Sequence, residues 1–206
     1  MDRQFGKEKA RREWVGSKLK NAAPIAIVPF KDGLAAVTAK SHFRKVRAVD
    51  QHILFAATGE YESVNILHSW LVEDVLRIIK TFSERDVFME SVVDNPDGAI
   101  AHVARAFYSD PVVAELALLF AEKGKFFGVV INSFGERKYL DGDGAVIGGK
   151  PEMGELLTKK LREAPPSTEK EAVALAAEVL KINGEQREWE VGVLSGSGIR
   201  FTRGGE

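Results

Sequence analysis

The four histidines are the side chains with the most obvious chemical capacity in this chain, because the sequence has no cysteine. Without a thiol, disulfides, thiolate catalysis and cysteine-ligated metals are excluded. No two histidines lie four residues apart around a carboxylate base, which is how a zinc-protease helix binds its metal. The histidines are His42, His52, His68 and His102. We therefore expect surface or partly buried histidines and no metal site.

Two glycine-rich segments have some features of ligand-binding loops. Asp141 and Glu152 have the spacing of the first and twelfth ligands of a calcium loop. Val146 stands at the sixth position, where such a loop needs glycine, so a hairpin turn near Asp141–Gly144 is favoured. Gly148-Gly149 precedes a predicted helix, but the lysine and hydroxyl residue of a phosphate loop do not follow. A packing turn is favoured there, and no cofactor is expected.

Composition limits the possible partners. A chain of 206 residues that is 45% hydrophobic can bury one large core, and its 29 basic and 30 acidic side chains nearly cancel. Residues 1–20 carry seven basic against three acidic side chains, which favours a solvated helix face and leaves nucleic-acid contact as a weaker alternative. The charged N-terminus and the lack of a long apolar run predict a cytoplasmic protein with no membrane partner.

Residues 1–22 differ from the rest of the chain, because they are polar and carry only a broken apolar stripe. Ala10, Trp14, Val15 and Leu19 form this stripe. Such a pattern is typical of a helix that packs on another body instead of forming its own core. We therefore divide the chain into an N-terminal tail and helix, residues 1–22, and one folded domain, residues 23–206.

From Pro24 onwards, short apolar runs joined by turn residues predict antiparallel strands. The runs are Ile25–Val28, Leu34–Val37, Val46–Val49, Ile53–Ala57, Val112–Ala121, Phe126–Ile131, Trp189–Val193 and Ile199–Thr202. Lys31-Asp32-Gly33 predicts a hairpin turn between the first two. In the run before the last, Trp189, Val191 and Val193 alternate with polar or small residues, as in a half-buried strand.

Helical spacing interrupts these strands twice, each time as a pair of helices. The apolar positions are Val64, Leu67, Leu71, Val75 and Ile78, then Ile100, Val103, Ala104 and Phe107, then Met153, Leu156, Leu157 and Leu161, and finally Ala172, Leu175, Ala176, Val179 and Leu180. Thr168 and Glu171 have the spacing of a capping box at the start of the last helix. This order predicts an α/β (α+β) fold, a four-layer αββα sandwich of two antiparallel sheets covered by helices, with an N-terminal helical extension.

Several strings in this order resemble the proteasome family, whose fold is that of the N-terminal nucleophile hydrolases. Lys31–Lys40 resembles the first hairpin of the family, Lys45–Asp50 its lysine-containing third strand, and Ala56–Gly59 the end of its fourth strand. Ser83–Val87 and Ile147–Glu152 resemble segments of actinobacterial α-type subunits. The resemblance covers roughly residues 7–195 and implies the sandwich fold.

The resemblance separates catalytic from non-catalytic subunits. In the catalytic kind, a threonine at the start of the first strand attacks the peptide bond with its own amino group as base, assisted by a lysine and an acid. By alignment of the hairpin, the nucleophile position is Ala23 and the acid position is Ala39, whereas the lysine is kept as Lys45. A methyl group cannot perform either reaction step, so the resemblance implies no catalytic residue and an α-type subunit.

For an α-type subunit, the resemblance implies two functional regions. A pocket between neighbouring subunits receives the C-terminal tail of an activator, and Lys45, Glu13 and Gly59 are the residues expected to line it. The N-terminal tail gates the pore. Its residues are Asp2, Arg3, Gln4, Phe5 and Gly6. The Tyr-Asp-Arg gate motif of archaeal and eukaryotic α subunits is absent.

The function implied by the resemblance is that of a ring subunit that gates substrate entry, templates a catalytic β-type ring and docks an activator. The expected partners are further copies of this chain in a heptameric ring, β-type subunits, a ring ATPase or other activator, and protein substrates. The alternative is a self-processing N-terminal nucleophile hydrolase or an ancestral β-like peptidase. For that alternative, Gly16-Ser17 is a possible cleavage junction, although Ser17 lies 14 residues before Lys31 and the family spacing is eight.

Overall fold

The computed structural model describes residues 2–82, 89–140, 142–180 and 188–204. At residues 2–5, 82, 203 and 204 it describes the main chain alone. The family-like string Ser83–Val87 and the first aspartate of the predicted Asp141–Gly144 turn therefore lie outside the described residues. No helix in the described part of the chain has both the length and the apolar content that a bilayer crossing requires.

Helices and strands follow each other in the predicted groups. The helices are α1 (Asp2–Leu19), α2 (Tyr61–Phe82), α3 (Met89–Val93), α4 (Ala99–Ala106), α5 (Pro151–Glu163) and α6 (Glu169–Leu180). The strands are β1 (Ile25–Phe30), β2 (Gly33–Ala39), β3 (Val46–Asp50), β4 (Ile53–Gly59), β5 (Ala114–Glu122), β6 (Lys125–Ile131), β7 (Arg137–Leu140), β8 (Ala145–Ile147), β9 (Trp189–Ser195) and β10 (Gly198–Gly204). The short helix α3 was not predicted.

The strands form two antiparallel sheets of five strands each, so the predicted mixed α/β class with two antiparallel sheets is confirmed. The first sheet has the order β10-β9-β2-β1-β8, and the second has the order β3-β4-β5-β6-β7. The predicted turn at Lys31–Asp32 joins β1 to β2, with Phe30 opposite Gly33. Each sheet thus combines a local hairpin with strands from distant parts of the chain.

The hairpin predicted near Asp141–Gly144 is wrong, because the strands on its two sides belong to different sheets. Strand β7 pairs with β6, whereas β8 pairs with β1. The turn lies against the first sheet: a Cβ at Gly144, whose φ is +64°, would lie 2.7 Å from the carbonyl oxygen of Ile27. The segment therefore crosses from one sheet to the other.

Alternation along the strands separates the core into three apolar clusters. In β1, Ile25 and Ile27 contact residues of the second sheet such as Leu54 and Leu119. Their neighbours Ala26 and Val28 face the opposite way and contact α5 and α6. A third cluster joins alternate residues of β4 and β5 to α2 and α4. Both faces of these strands are therefore buried, which is why their sequences read as nearly continuous apolar runs.

Helix α1 packs on the folded body through one end of its apolar stripe. Val15 is fully buried and Leu19 is nearly so, in a cluster with Phe107, Val113 and Phe134. Each such side chain contributes about 1.5 to 3 kcal/mol when fully buried. Trp14 points away and is 44% exposed. The prediction of a helix that packs on another body thus agrees with the structure.

Candidate functional site

The start of β1, the end of β2, the start of β3 and the end of β4 lie together at one end of the two sheets. The hydroxyl of Thr38 donates to the carbonyl oxygen of Pro24 at 2.8 Å, and that of Thr58 donates to the carbonyl oxygen of Ala23 at 2.7 Å. The amide of Ala57, the neighbour of Thr58, donates to the carbonyl oxygen of Lys45 at 2.9 Å. This hydrogen-bonded group is the candidate site.

The structure brings the three positions aligned with the catalytic residues to this site. In the β1–β2 pairing Ile25 lies opposite Thr38, which places the residues before β1 beside Ala39. Lys45 lies immediately before β3 and is bonded to the end of β4. Ala23 and Ala39 carry methyl groups, and the threonine hydroxyls beside them are buried and donate to main-chain carbonyls.

Lys45 is a buried residue, with 4% of its surface exposed. Its Nζ lies 5.8 Å from the centre of the Phe43 ring, close enough for a cation–π contact. Its main-chain amide donates to the Glu190 carboxylate at 3.1 Å, and the amide of Val46 donates to the same oxygen at 2.9 Å. The start of β3 is therefore fixed by a side chain from β9, in the other sheet.

Glu190 was not predicted as a site residue, because the alternation along β9 assigned it to a polar face. Strand β9 lies between β10 and β2, and Glu190 is 7% exposed. On the same face, a Cβ at Gly192 would lie 2.4 Å from a methyl carbon of Val46. Strand β3 can approach β9 closely at this point, because Glu190 accepts its amides and Gly192, two residues later, has no side chain that would collide with Val46. The signal in the sequence was an acidic residue between the apolar residues Trp189 and Val191.

Replacing Glu190 by alanine is expected to lower the free energy of unfolding by about 2 to 5 kcal/mol, because two buried amides lose their acceptor. Glu190→Gln keeps an acceptor oxygen at the same position and should cost about 1 kcal/mol or less. Urea unfolding of the two variants and the parent measures both values. Equal losses for alanine and glutamine would show that the carboxylate charge matters instead of the two hydrogen bonds.

Gly59 ends β4 at the same site. Its φ is +143°, and the following amide, of Glu60, donates to the carbonyl oxygen of Val113 at 2.9 Å. The Glu60 carboxylate also pairs with Lys18 of α1 at 3.3 Å. This ion pair joins α1 to the start of α2, next to the candidate site.

Glu13 and Lys45 have different surroundings in the structure. The Glu13 side chain is 69% exposed and pairs with Lys9, one turn earlier on α1, at 4.0 Å. Lys45 lies at the start of β3 against Phe43 and Glu190. A shared pocket for Glu13 and Lys45 stays a prediction that concerns neighbouring subunits.

The predicted gate residues Asp2, Arg3, Gln4, Phe5 and Gly6 form the beginning of α1. The expected tail before the helix is therefore wrong within the described residues, because the helix already begins at Asp2. The side chains of residues 2–5 lie outside the described part, and Gly6 is exposed.

The other sequence features have ordinary structural roles. Ser17 lies within α1, and its hydroxyl donates to the carbonyl oxygen of Trp14 at 2.7 Å. The amide of Gly148 donates to the Glu115 carboxylate at 2.9 Å. This amide of the Gly148-Gly149 pair therefore already has an acidic partner in place of a phosphate. The described residues contain no group of three or more His, Cys, Asp or Glu side chains placed to bind a metal ion.

Among the histidines, His68 has a defined contact with the edge strand of the second sheet. Its Nε2 lies 2.9 Å from the carbonyl oxygen of Ala48, and its ring packs edge-on against Phe55. Burial is the main cause that lowers the pKa of His68, and the charge of Arg47 acts in the same direction. The hydrogen bond to Ala48 acts in the opposite direction. The imidazole thus covers a main-chain oxygen at the open edge of β3.

Comparison with known proteins adds no relative to this description. No family model matches the chain, and no curated protein matches it. The features that bear on function are therefore the geometry at Ala23, Ala39 and Lys45 and the resemblance of the short strings that contain them.

Proposed function

We propose that this chain is a non-catalytic α-type ring subunit of a proteasome-like particle. The observation that carries the proposal is the pair of methyl groups, Ala23 and Ala39, beside a retained Lys45 at one end of two antiparallel sheets. An N-terminal nucleophile hydrolase needs a hydroxyl or thiol at the first of these positions and an acid at the second. Neither of these two positions carries the group required.

The connection of Ala23 to α1 supports the same proposal. A catalytic N-terminal residue needs a free amino group, whereas Ala23 is joined to a helix that packs on the body through Val15 and Leu19. Arg11 donates to the carbonyl oxygen of Phe107 at 2.9 Å, and Lys18 pairs with Glu60. In our proposal α1 is a permanent part of the subunit, not a propeptide, and residues 23–206 form the proteasome-type domain.

The proposed fold is the four-layer αββα sandwich. It is supported by the apolar cluster shared by the two sheets and by the two clusters that join each sheet to its own helices. The proposed assembly is a heptameric ring in the cytoplasm, stacked on a ring of catalytic β-type subunits. Activator tails dock near Lys45, and the first residues of α1 narrow the pore through which protein substrates enter.

The chain on its own is expected to show no peptidase activity and no self-processing apart from loss of Met1. Intact mass spectrometry of the purified chain, with and without an epoxyketone inhibitor that labels N-terminal threonines, tests this. The proposed function requires one unlabelled species, either of full length or lacking only Met1. A mature chain beginning at Ser17, or a covalent inhibitor adduct, would establish the alternative of a self-processing hydrolase.

A further inference from the structure

An open groove lies beside the start of β3 and the first turn of α2. Its lining residues are His42, Phe43, Arg44, Arg47, Tyr61 and Asn65. Two of these six side chains are guanidinium groups and none is a carboxylate. The rings of Phe43 and Tyr61 meet edge-on, with centres 5.1 Å apart, and form an aromatic corner next to the arginines.

Arg44 and Arg47 are neighbours in the groove, and their guanidinium groups have N–H donors that form no ion pair within the described residues. Arg47 donates from Nε to the carbonyl oxygen of Arg44 at 2.8 Å, and neither guanidinium forms an ion pair within the described ranges. Burial is the main cause that lowers the pKa of Arg47; Tyr61 and the charge of Glu190 act in the opposite direction, and the charge of Arg44 lowers it further. Like charges held side by side with no acid among the lining residues favour a bound anion.

The nearby carboxylates form no ion pair with these two arginines within the described residues, although the charge of Glu190 reaches Arg47. Glu190 is buried and accepts the amides of Lys45 and Val46, and Glu60 pairs with Lys18. Two exposed arginines elsewhere in the chain do have acidic partners: Arg77 pairs with Asp74, and Arg200 pairs with Glu169. In the groove, by contrast, two neighbouring arginines form no ion pair with any described residue.

The aromatic side of the groove has an accessible flat surface. Tyr61 is 57% exposed, and its contact with Phe43 fixes one edge of the ring. Planar groups such as nucleobases stack on exposed aromatic rings and on guanidinium planes. Asn65, one turn further along α2, offers an amide with both a donor and an acceptor for a base edge.

We propose that this groove binds a nucleoside phosphate, with the phosphate on Arg44 and Arg47 and the base on Tyr61. A phosphate monoester has three terminal oxygens and can accept from two guanidinium groups, whereas a single carboxylate fits one. Stacking of the base on Tyr61 would account for an exposed tyrosine side chain beside two arginines. This inference concerns a single chain and does not depend on ring assembly.

Nuclear magnetic resonance titration of the full-length ¹⁵N-labelled chain tests this inference with adenosine monophosphate, adenosine and inorganic phosphate as probes. Adenosine monophosphate should shift the Arg47 Nε–H signal and the amide signals around Tyr61, and should bind at least about tenfold more tightly than either of the other probes. Arg47→Gln and Arg44→Gln should each weaken its binding about tenfold or more. Tyr61→Leu should weaken binding of the nucleotide but not of inorganic phosphate.

Arg162→Gln, which changes an exposed arginine on α5 outside the groove, is the matched control and should bind as the parent does. Thermal unfolding shows whether each variant is folded, and the three groove variants together keep the result independent of any one of them. The proposal is wrong if adenosine monophosphate causes no shift at millimolar concentration, or if inorganic phosphate binds equally well. It is also wrong if an acidic peptide or oligothymidylate binds at the groove and the nucleotide does not compete.

Discussion

Gly59→Ala is expected to lower the free energy of unfolding by at least about 3 kcal/mol. The φ of +143° is a conformation that residues with a side chain rarely adopt. An added Cβ would also lie 2.2 Å from the carbonyl oxygen of Val113 and 2.7 Å from the Cα of Ala114. Both are main-chain atoms, so they cannot move aside without disturbing the β4–β5 pairing.

Gly124→Ala is the matched control for this prediction. Gly124 has a φ of +74°, but nothing lies within 4 Å of an added Cβ. It therefore measures the cost of backbone strain without the collision, and should lose only about 1 kcal/mol. For a domain of this size, 3 kcal/mol corresponds to a decrease in Tm of about 6 °C or more. Similar decreases in Tm for the two variants would mean that β4 and β5 are not as closely packed at Gly59 as described.

Lys45→Met is expected to nearly abolish stimulation by an activator while leaving the assembled particle and its basal hydrolysis of small peptides intact. A charge-assisted bond between a lysine and a terminal carboxylate contributes about 1.5 to 3 kcal/mol, or roughly tenfold to hundredfold in affinity for each tail. Several tails bind one ring, so the effect multiplies through avidity. Methionine keeps most of the side-chain length, which limits the cavity left in this buried position.

The control for Lys45→Met is Lys31→Met, which changes an exposed lysine at the opposite end of β1 and β2. Peptide hydrolysis by the assembled particle, with and without activator, compares the two variants. Undiminished stimulation of the Lys45→Met particle would remove the docking role from this residue. A loss of assembly would instead assign Lys45 a structural role at the start of β3.

Local features were predictable from the sequence because they depend on neighbouring residues. The three- and four-residue spacing from Val64 to Ile78 predicted α2, and the capping box was confirmed: Glu171 accepts from the amides of Ser167 and Thr168, and its own amide donates to the Thr168 hydroxyl. The turn at Lys31–Asp32 joined β1 to β2 as expected.

Distant pairings were not predictable in the same way. Nothing in the local pattern showed that β8 would pair with β1, or that Glu190 would be buried against Val46, because these contacts join residues far apart in sequence. The three site positions Ala23, Ala39 and Lys45 were aligned through the resemblance alone. Their proximity depends on the hydrogen bonds of Thr38, Thr58 and Ala57, which appear only in the structure.

The central claim is that this chain forms a non-catalytic ring on a catalytic partner. Its most direct test is co-expression with a proteasome-type β chain of the same genome, followed by electron microscopy of the purified particle. The account predicts stacked rings in which this chain forms a seven-membered ring, and inhibitor labels only the β chain. Purification of this chain as a monomer with no bound β chain, or labelling of this chain, would contradict it.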